Sequence, residues 1–209
     1  MNREESRIIK GVRDYLYRTG SNRIDTIKIS KELGIPLDKM LKIAPTPREM
    51  VKKIYSYEVV ELSAIFDEYN FNELNAIDSL IIVGQEVYKR FHDVNPAVSY
   101  HLKNVYPDIY KDHLKLKIDF LVSEVVRNFR KGQKQGIYKE DVDIEALKKS
   151  LINNVARLHE DKILRSGKLT FEVAFNELIE SFIKESSHSD WWDYYKQRKQ
   201  LFEALDFNR

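Results

Sequence analysis

Lys39 and Lys42 stand three residues apart in the short stretch LDKMLKI, enclosed by Pro36 on one side and by the APTP break at 44–47 on the other. On a helix that spacing puts both ammonium groups on one surface, where each can donate to the O6 and N7 edge of a guanine in a DNA major groove. Arg23, Lys28, Thr46, Arg48 and Lys52 surround them in the sequence. Their donors suit phosphate oxygens, contacts that fix register and make affinity fall with salt by a log-log slope of about −0.9 per phosphate neutralised. The other side chains capable of chemistry are poorly arranged for it. His92, His101, His113, His159 and His188 show no HExxH or other paired metal spacing. His159, Glu160 and Asp161 would point to different faces of a helix. There is no cysteine to serve as nucleophile, thiolate ligand or disulfide partner, and no Gly-rich loop follows a strand to cradle a nucleotide. The expectation is a protein that is not an enzyme and carries neither metal nor cofactor.

The elements that must position the lysines are legible around them. Residues 25–50, DTIKISKELGIPLDKMLKIAPTPREM, predict two short helices joined by a tight turn, with a third beginning at once. Asp25 is placed to cap the first, and Ile27, Ile29 and Leu33 mark its apolar side. Gly34 can supply the positive φ of a C-cap, and Ile35 re-enters the core. The segment after Pro36 ends near Ala44, and Thr46 with Pro47 opens the next helix. Ahead of these, Ile8 or Ile9, Val12, Leu16 and Tyr17 mark an initial helix closed by Gly20. The outline is a helix-turn-helix whose second helix would lie in the major groove.

Charge distribution agrees with that outline. The net charge is only +2, but residues 1–54 hold 13 Lys or Arg against 7 Asp or Glu, giving +6, so the rest carry −4. A phosphate-binding head on a neutral to acidic body fits the split. A hydrophobic content of 43% is enough for a real core, and 7 Gly with 5 Pro argue against a many-turned β fold. No apolar run approaches the roughly 20 residues that span a bilayer, and nothing suggests secretion, so the cytoplasm is the expected location and no membrane partner is expected.

Downstream the 3-4 spacing persists. Val51, Tyr55, Val59, Leu62, Phe66 and Tyr69 predict a long helix from Arg48, and Leu74, Ile77, Ile81, Gly84, Tyr88 and Phe91 another. Asn95-Pro96 opens a short helix to Tyr106, and Pro107 starts one that ends within 132–136. Asp143 is placed to cap a helix running to Ser166-Gly167, Thr170 the next, and WWDYYKQRKQL lies in a last one. The expected class is all-α, about ten helices, with a three-helix head on a larger helical body.

Three stretches, RIIKGVRDYLYRTG, DTIKISKELGI and PLDKMLKIAPTPREMV, resemble the head of the tetracycline-repressor (TetR) family of transcriptional regulators, in register without insertion over about residues 7–54. NPAVSYHLKNVYPDIYKDH and the KGQKQGIY turn resemble the ligand-binding and dimerisation region of one branch. Departures fall on the recognition helix. Small or polar residues at its start, and aromatic ones after, are replaced here by Pro36, Leu37 and Asp38, then Leu41, Ile43 and Ala44. The family's Lys at the start of the fourth helix is Pro47, with Arg48 adjacent and able to take its place.

The resemblance implies a helix-turn-helix DNA-binding domain at 1–47 and an effector-binding and dimerisation domain at 48–209. It implies an apolar cavity for an unknown small-molecule effector drawing on Val83, Val87, Phe91, Tyr100, Tyr106, Tyr110, His113 and Phe120. It also implies a homodimer packed through Ile152, Val155, Phe175, Leu178, Ile179 and Phe182, with heads facing operator half-sites about one DNA turn apart. The expected function is a dimeric, effector-responsive regulator, a repressor, of double-stranded operator DNA. The altered recognition helix leaves a second expectation, a dimeric ligand-binding or protein-interaction module of the same fold that has lost sequence-specific DNA binding.

Overall fold

A computed structural model describes residues 2–21 and 23–206, and the side chains of all of these but 171–172 and 202–206. The chain is all-helical. Helix α1 spans Arg3–Thr19, with the Asn2 side chain accepting from the Glu5 amide at 2.9 Å and Gly20 at φ 62° closing it. Helices α2 (Thr26–Leu33), α3 (Leu37–Ile43) and α4 (Pro47–Glu68) follow. After a 3-10 turn at Phe71–Glu73 come α5 (Ala76–Phe91), α6 (Pro96–Val105), α7 (Pro107–Lys134), α8 (Ile144–Leu158) and α9 (Asp161–Ser166). The last are α10 (Phe171–Phe175), a π-helical segment at Asn176–Glu180, α11 (Ser181–Ser186) and α12 (Ser189–Asp206). Strand pairing among the described residues is limited to one antiparallel bridge, Tyr138 with Ser187. No helix among them is long and apolar enough to cross a membrane.

Two elements depart from the periodicity. The helix expected to run from 143 to 167 stops at Leu158, because Glu160 is extended (φ −68°, ψ 146°) and turns the chain into a separate α9. Lys103 secures that turn, donating to the His159 carbonyl at 2.9 Å and to Asp161 Oδ1 at 2.6 Å. The helix expected after Thr170 passes through the π-helical segment before continuing as α11. A π turn inserts one residue and re-aims the side chains that follow it.

Packing divides the chain into two compact units. The first comprises Met1–Ala64, Arg90–Lys117 and His159–Leu169. Its core joins Ile8, Ile9, Val12 and Leu16 of α1 to Ile29, Met40, Met50, Val51 and Ile54, and to Val98, Leu102, Ile109 and Leu164. Each such side chain contributes roughly 1.5–3 kcal/mol of burial, which is how helices as short as α2 and α3 persist.

The second unit comprises Ile65–Lys89, Ile118–Leu158 and Thr170–Arg209. Phe129, Tyr138 and Phe182 pack together there, with Phe129 and Tyr138 stacked at 5.6 Å and Phe182 meeting both edge-on. The Tyr138 hydroxyl donates to Asn128 Oδ1 at 2.9 Å, and Asn128 Nδ2 donates to the Ala76 carbonyl at 2.8 Å. The Tyr138 ring lies directly against the backbone of Gly132, where no side chain would fit.

Candidate nucleic-acid interface

Local chemistry explains the geometry of residues 25–47. Asp25 caps α2, its carboxylate accepting from the Lys28 amide at 3.0 Å. Gly34 adopts φ 62°, a left-handed turn that glycine enters without strain, and the Ile35 amide then donates to the Ser30 carbonyl at 3.0 Å. The Ser30 hydroxyl returns to the Ile35 carbonyl at 2.6 Å, so the turn is closed from both sides. Met40 of α3 is fully buried, and Ile43 packs against the same core. These anchors leave the opposite side of α3 to solvent. A reciprocal cap starts α4, with the Thr46 amide and hydroxyl donating to Glu49 Oε2 at 3.1 and 2.9 Å.

All seven side chains expected to meet DNA, Arg23, Lys28, Lys39, Lys42, Thr46, Arg48 and Lys52, are exposed and belong to the first unit. Several are engaged within the protein. Lys39 pairs with Glu4 of α1 at 2.7 Å, lowering the Glu4 pKa, and Lys42 approaches Asp38 at 3.7 Å on its own helix. Arg48 pairs with Asp108, and Thr46 is committed to its cap. Surface pairs of this kind are weak and exchange readily for phosphate. Asp38 and Leu41 are exposed on α3, and Leu37 is half-buried.

Within the same unit lies a buried polar cluster that periodicity did not single out. Arg13 of α1 is 2% exposed. It donates from Nε to Glu58 Oε1 at 3.0 Å and forks onto Asp93 at 3.2 and 3.3 Å. Burial works against its charge, but Glu58, Tyr17 and Asp93 outweigh burial and hold it protonated. Tyr17 donates to the same Glu58 oxygen at 2.8 Å. The signal in the sequence was a charged residue on the apolar stripe of α1, between Val12 and Leu16.

His113 stacks on Tyr55 with ring centroids 4.2 Å apart and the rings 8° from parallel. Its Nε2 lies 3.5 Å from Glu58 Oε2, yet burial, aided by the Lys117 ammonium, lowers its pKa to about 3. The imidazole is therefore neutral at pH 7, and the contact with Glu58 is not an ion pair. His159 is likewise lowered to about 3, first by burial, and its Nδ1 sits 2.6 Å from the Tyr110 hydroxyl. Burial also lowers the Lys117 pKa, with Glu58 opposing. Tyr55 Oη and His113 Nδ1 are buried and have no hydrogen-bond partner among the described residues.

Of the side chains expected around an effector, Phe91, Tyr100, Tyr106, Tyr110 and His113 belong to the first unit, and Val83, Val87 and Phe120 to the second. Tyr110 and His113 are buried and the other six partly so. The structure thus brings Tyr110 and His113 beside Tyr55 and His159, partners absent from the expectation. The residues expected at a dimer interface all belong to the second unit. Val155 and Phe182 are core residues there, at 2% and 4% exposure, whereas Ile152 is 40% exposed and Phe175, Leu178 and Ile179 are intermediate. Among the described residues no three His, Asp or Glu side chains converge as a metal site requires.

Comparison with known proteins adds the fold. No family model and no curated protein matches the sequence. Among solved structures, one described as a possible TetR-family transcriptional regulator from Vibrio parahaemolyticus superposes with a TM-score of 0.53 at 14% identity, covering 89% of this chain and 98% of that one. The ketosteroid transcriptional regulator KstR2 of Mycobacterium tuberculosis aligns over 90% of this chain and 97% of its own, at 14% identity and a TM-score of 0.46.

Proposed function

We propose, from a fold shared with a TetR-family regulator, that this protein is a dimeric transcriptional regulator whose residues 1–47 bind operator DNA and whose residues 48–209 bind a small-molecule effector and pair with a second copy. The observation that carries the reading is the helix-turn-helix at 25–47. Its turn is closed by Gly34 and Ser30, Met40 is buried, and Lys39 and Lys42 stand exposed on the second helix. Arg23, Lys28, Thr46, Arg48 and Lys52 would hold phosphates, and the two α3 lysines would reach base edges. The unpartnered Tyr55 Oη and His113 Nδ1 support an effector with a polar group near Tyr110 and His113. Such a ligand represses or releases by favouring the dimer in which the heads do or do not fit the operator, with reciprocal coupling. A repressor located in the cytoplasm is the form the family resemblance favours.

Selection from a genomic DNA library at low and moderate salt tests the reading. Enrichment of a palindromic site is expected, and Lys39→Ala with Lys42→Ala should weaken binding to it by tenfold or more. Uniform, salt-sensitive binding to every fragment would leave a basic surface without sequence reading. A second reading has its own observation. Asp38 presents a carboxylate on the exposed face of α3 and lies 3.7 Å from Lys42, and Leu41 is exposed beside it. That surface suits a dimeric ligand-binding or protein-interaction module of the same fold, and failure to enrich any site favours it.

A further inference from the structure

The second unit holds an open cleft of about 710 Å³ whose walls come from the C-terminal half of α7, the start of α8 and Asn72. Arg127, Arg130, Lys131, Lys134 and Lys148 line it, and no carboxylate does. Val122 and Val126 are the apolar side chains of its lining. None of these residues belongs to the surfaces considered above for DNA, effector or dimer.

The helix dipole explains only part of this arrangement. Cations in the last turn of a helix are stabilised by its negative end, which covers Lys131 and Lys134 of α7. It does not cover Arg127 and Arg130, which lie further back, or Lys148, the fifth residue of α8, which is far from the negative end of that helix. Residues 127, 130, 131 and 134 share one face, so like charges recur at every i,i+3 and i,i+4 step, an arrangement that by itself weakens a helix.

Compensation inside the protein is incomplete. Arg127 pairs with Glu124 and Lys148 with Glu145, each on its own helix. Lys131 is turned to neutral acceptors, the Phe71 carbonyl and the Ser79 hydroxyl, and burial lowers its pKa. Among the described residues, the side chains of Arg130 and Lys134 have no ion-pair or hydrogen-bond partner. Three cations on adjacent turns thus face the cleft without a carboxylate partner, and a fourth and fifth can be turned to it by exchanging one surface pair each.

We propose that this cleft is a binding site for a small soluble organic anion carrying two or more phosphate or carboxylate groups. Its volume falls in the range of small-molecule sites, and the two valines of the lining suit the apolar part of such a molecule. Arg127 and Arg130 provide planar forks for bidentate contacts, and the lysines provide point charges. The site does not depend on whether residues 1–47 read DNA.

Isothermal titration of the full chain with tripolyphosphate and with citrate, at 50 and 300 mM NaCl, tests the proposal. Saturable binding of one molecule per chain is expected for at least one probe, weakening at the higher salt. Arg130→Gln with Lys134→Gln should lower its affinity tenfold or more while the circular dichroism melt stays unchanged. Lys10→Gln with Lys111→Gln makes the same change of charge at two exposed positions outside the cleft and should leave affinity within twofold. Equal loss in both variants, or binding of anionic phospholipid vesicles with no heat from either soluble probe, overturns the site. So does the absence of heat at both salt concentrations.

Discussion

Arg13 shows what one side chain can decide. Its guanidinium is the hydrogen-bonded counter-charge for Glu58, itself 8% exposed, so removing it leaves a buried carboxylate without its directly paired cation. Arg13→Met should destabilise the protein by about 3–5 kcal/mol, and adding Glu58→Leu should restore part of the loss, because replacing both members of a buried pair is often near neutral. Denaturant midpoints of the two single variants and the double variant measure this. The histidines make a separate prediction. His113 and His159 have folded pKa values near 3 against an ordinary 6.5, so between these limits the unfolded chain binds more protons than the folded one. Stability they contribute is complete above about pH 6.5 and is lost as pH falls, with a slope of about 1.4 kcal/mol per pH unit for each group inside that window. Urea unfolding at pH 7 and pH 5 should show the drop, and His113→Phe should flatten it. An unchanged slope in the variant would assign the acid sensitivity elsewhere.

At the scale of the element, glycines separate two kinds of constraint. Gly34 meets nothing that a methyl group would strike, so Gly34→Ala should cost only the left-handed backbone, about 1–2 kcal/mol. Gly132 is helical, but a methyl group there runs into the Tyr138 ring and Ala76. Gly132→Ala should therefore cost about 1–3 kcal/mol or more through overpacking, and thermal melts of the pair rank the two effects. Much of this level was legible in the sequence. Asp25, Gly34, Pro47 and Asn95 punctuate helices where the chain has them, since caps and turns depend on local atoms. The break at 159–160 was not, because Lys103, distant in sequence, stabilises it. The cluster of Arg13, Glu58 and Asp93 escaped for the same reason, its partners being 45 and 80 residues away.

For the whole molecule, the proposed function requires two copies to associate. Ile152 and Val173 are large apolar side chains of the second unit, 40% and 42% exposed. If a second copy covers them, Ile152→Lys should shift sedimentation from dimer to monomer, whereas Val155→Lys should unfold the unit because Val155 is already buried. A wild type that sediments as a monomer at micromolar concentration would remove dimerisation from the proposal. The fold class and the head were readable from periodicity and punctuation. The grouping of separated segments into two compact units depends on which distant segments pack together, a long-range property that periodicity does not carry.

That division bears on biosynthesis. The first unit is assembled from three separated segments, and its last, His159–Leu169, carries the buried Leu164 and the His159 that meets Tyr110. Residues 1–64 emerge long before it. At roughly 5–20 residues per second, the 105 residues from 64 to 169 occupy the ribosome for about 5–20 s. Throughout that interval the N-terminal helices lack part of their native packing surface, so the first unit reaches its final stability only after most of the chain has been made.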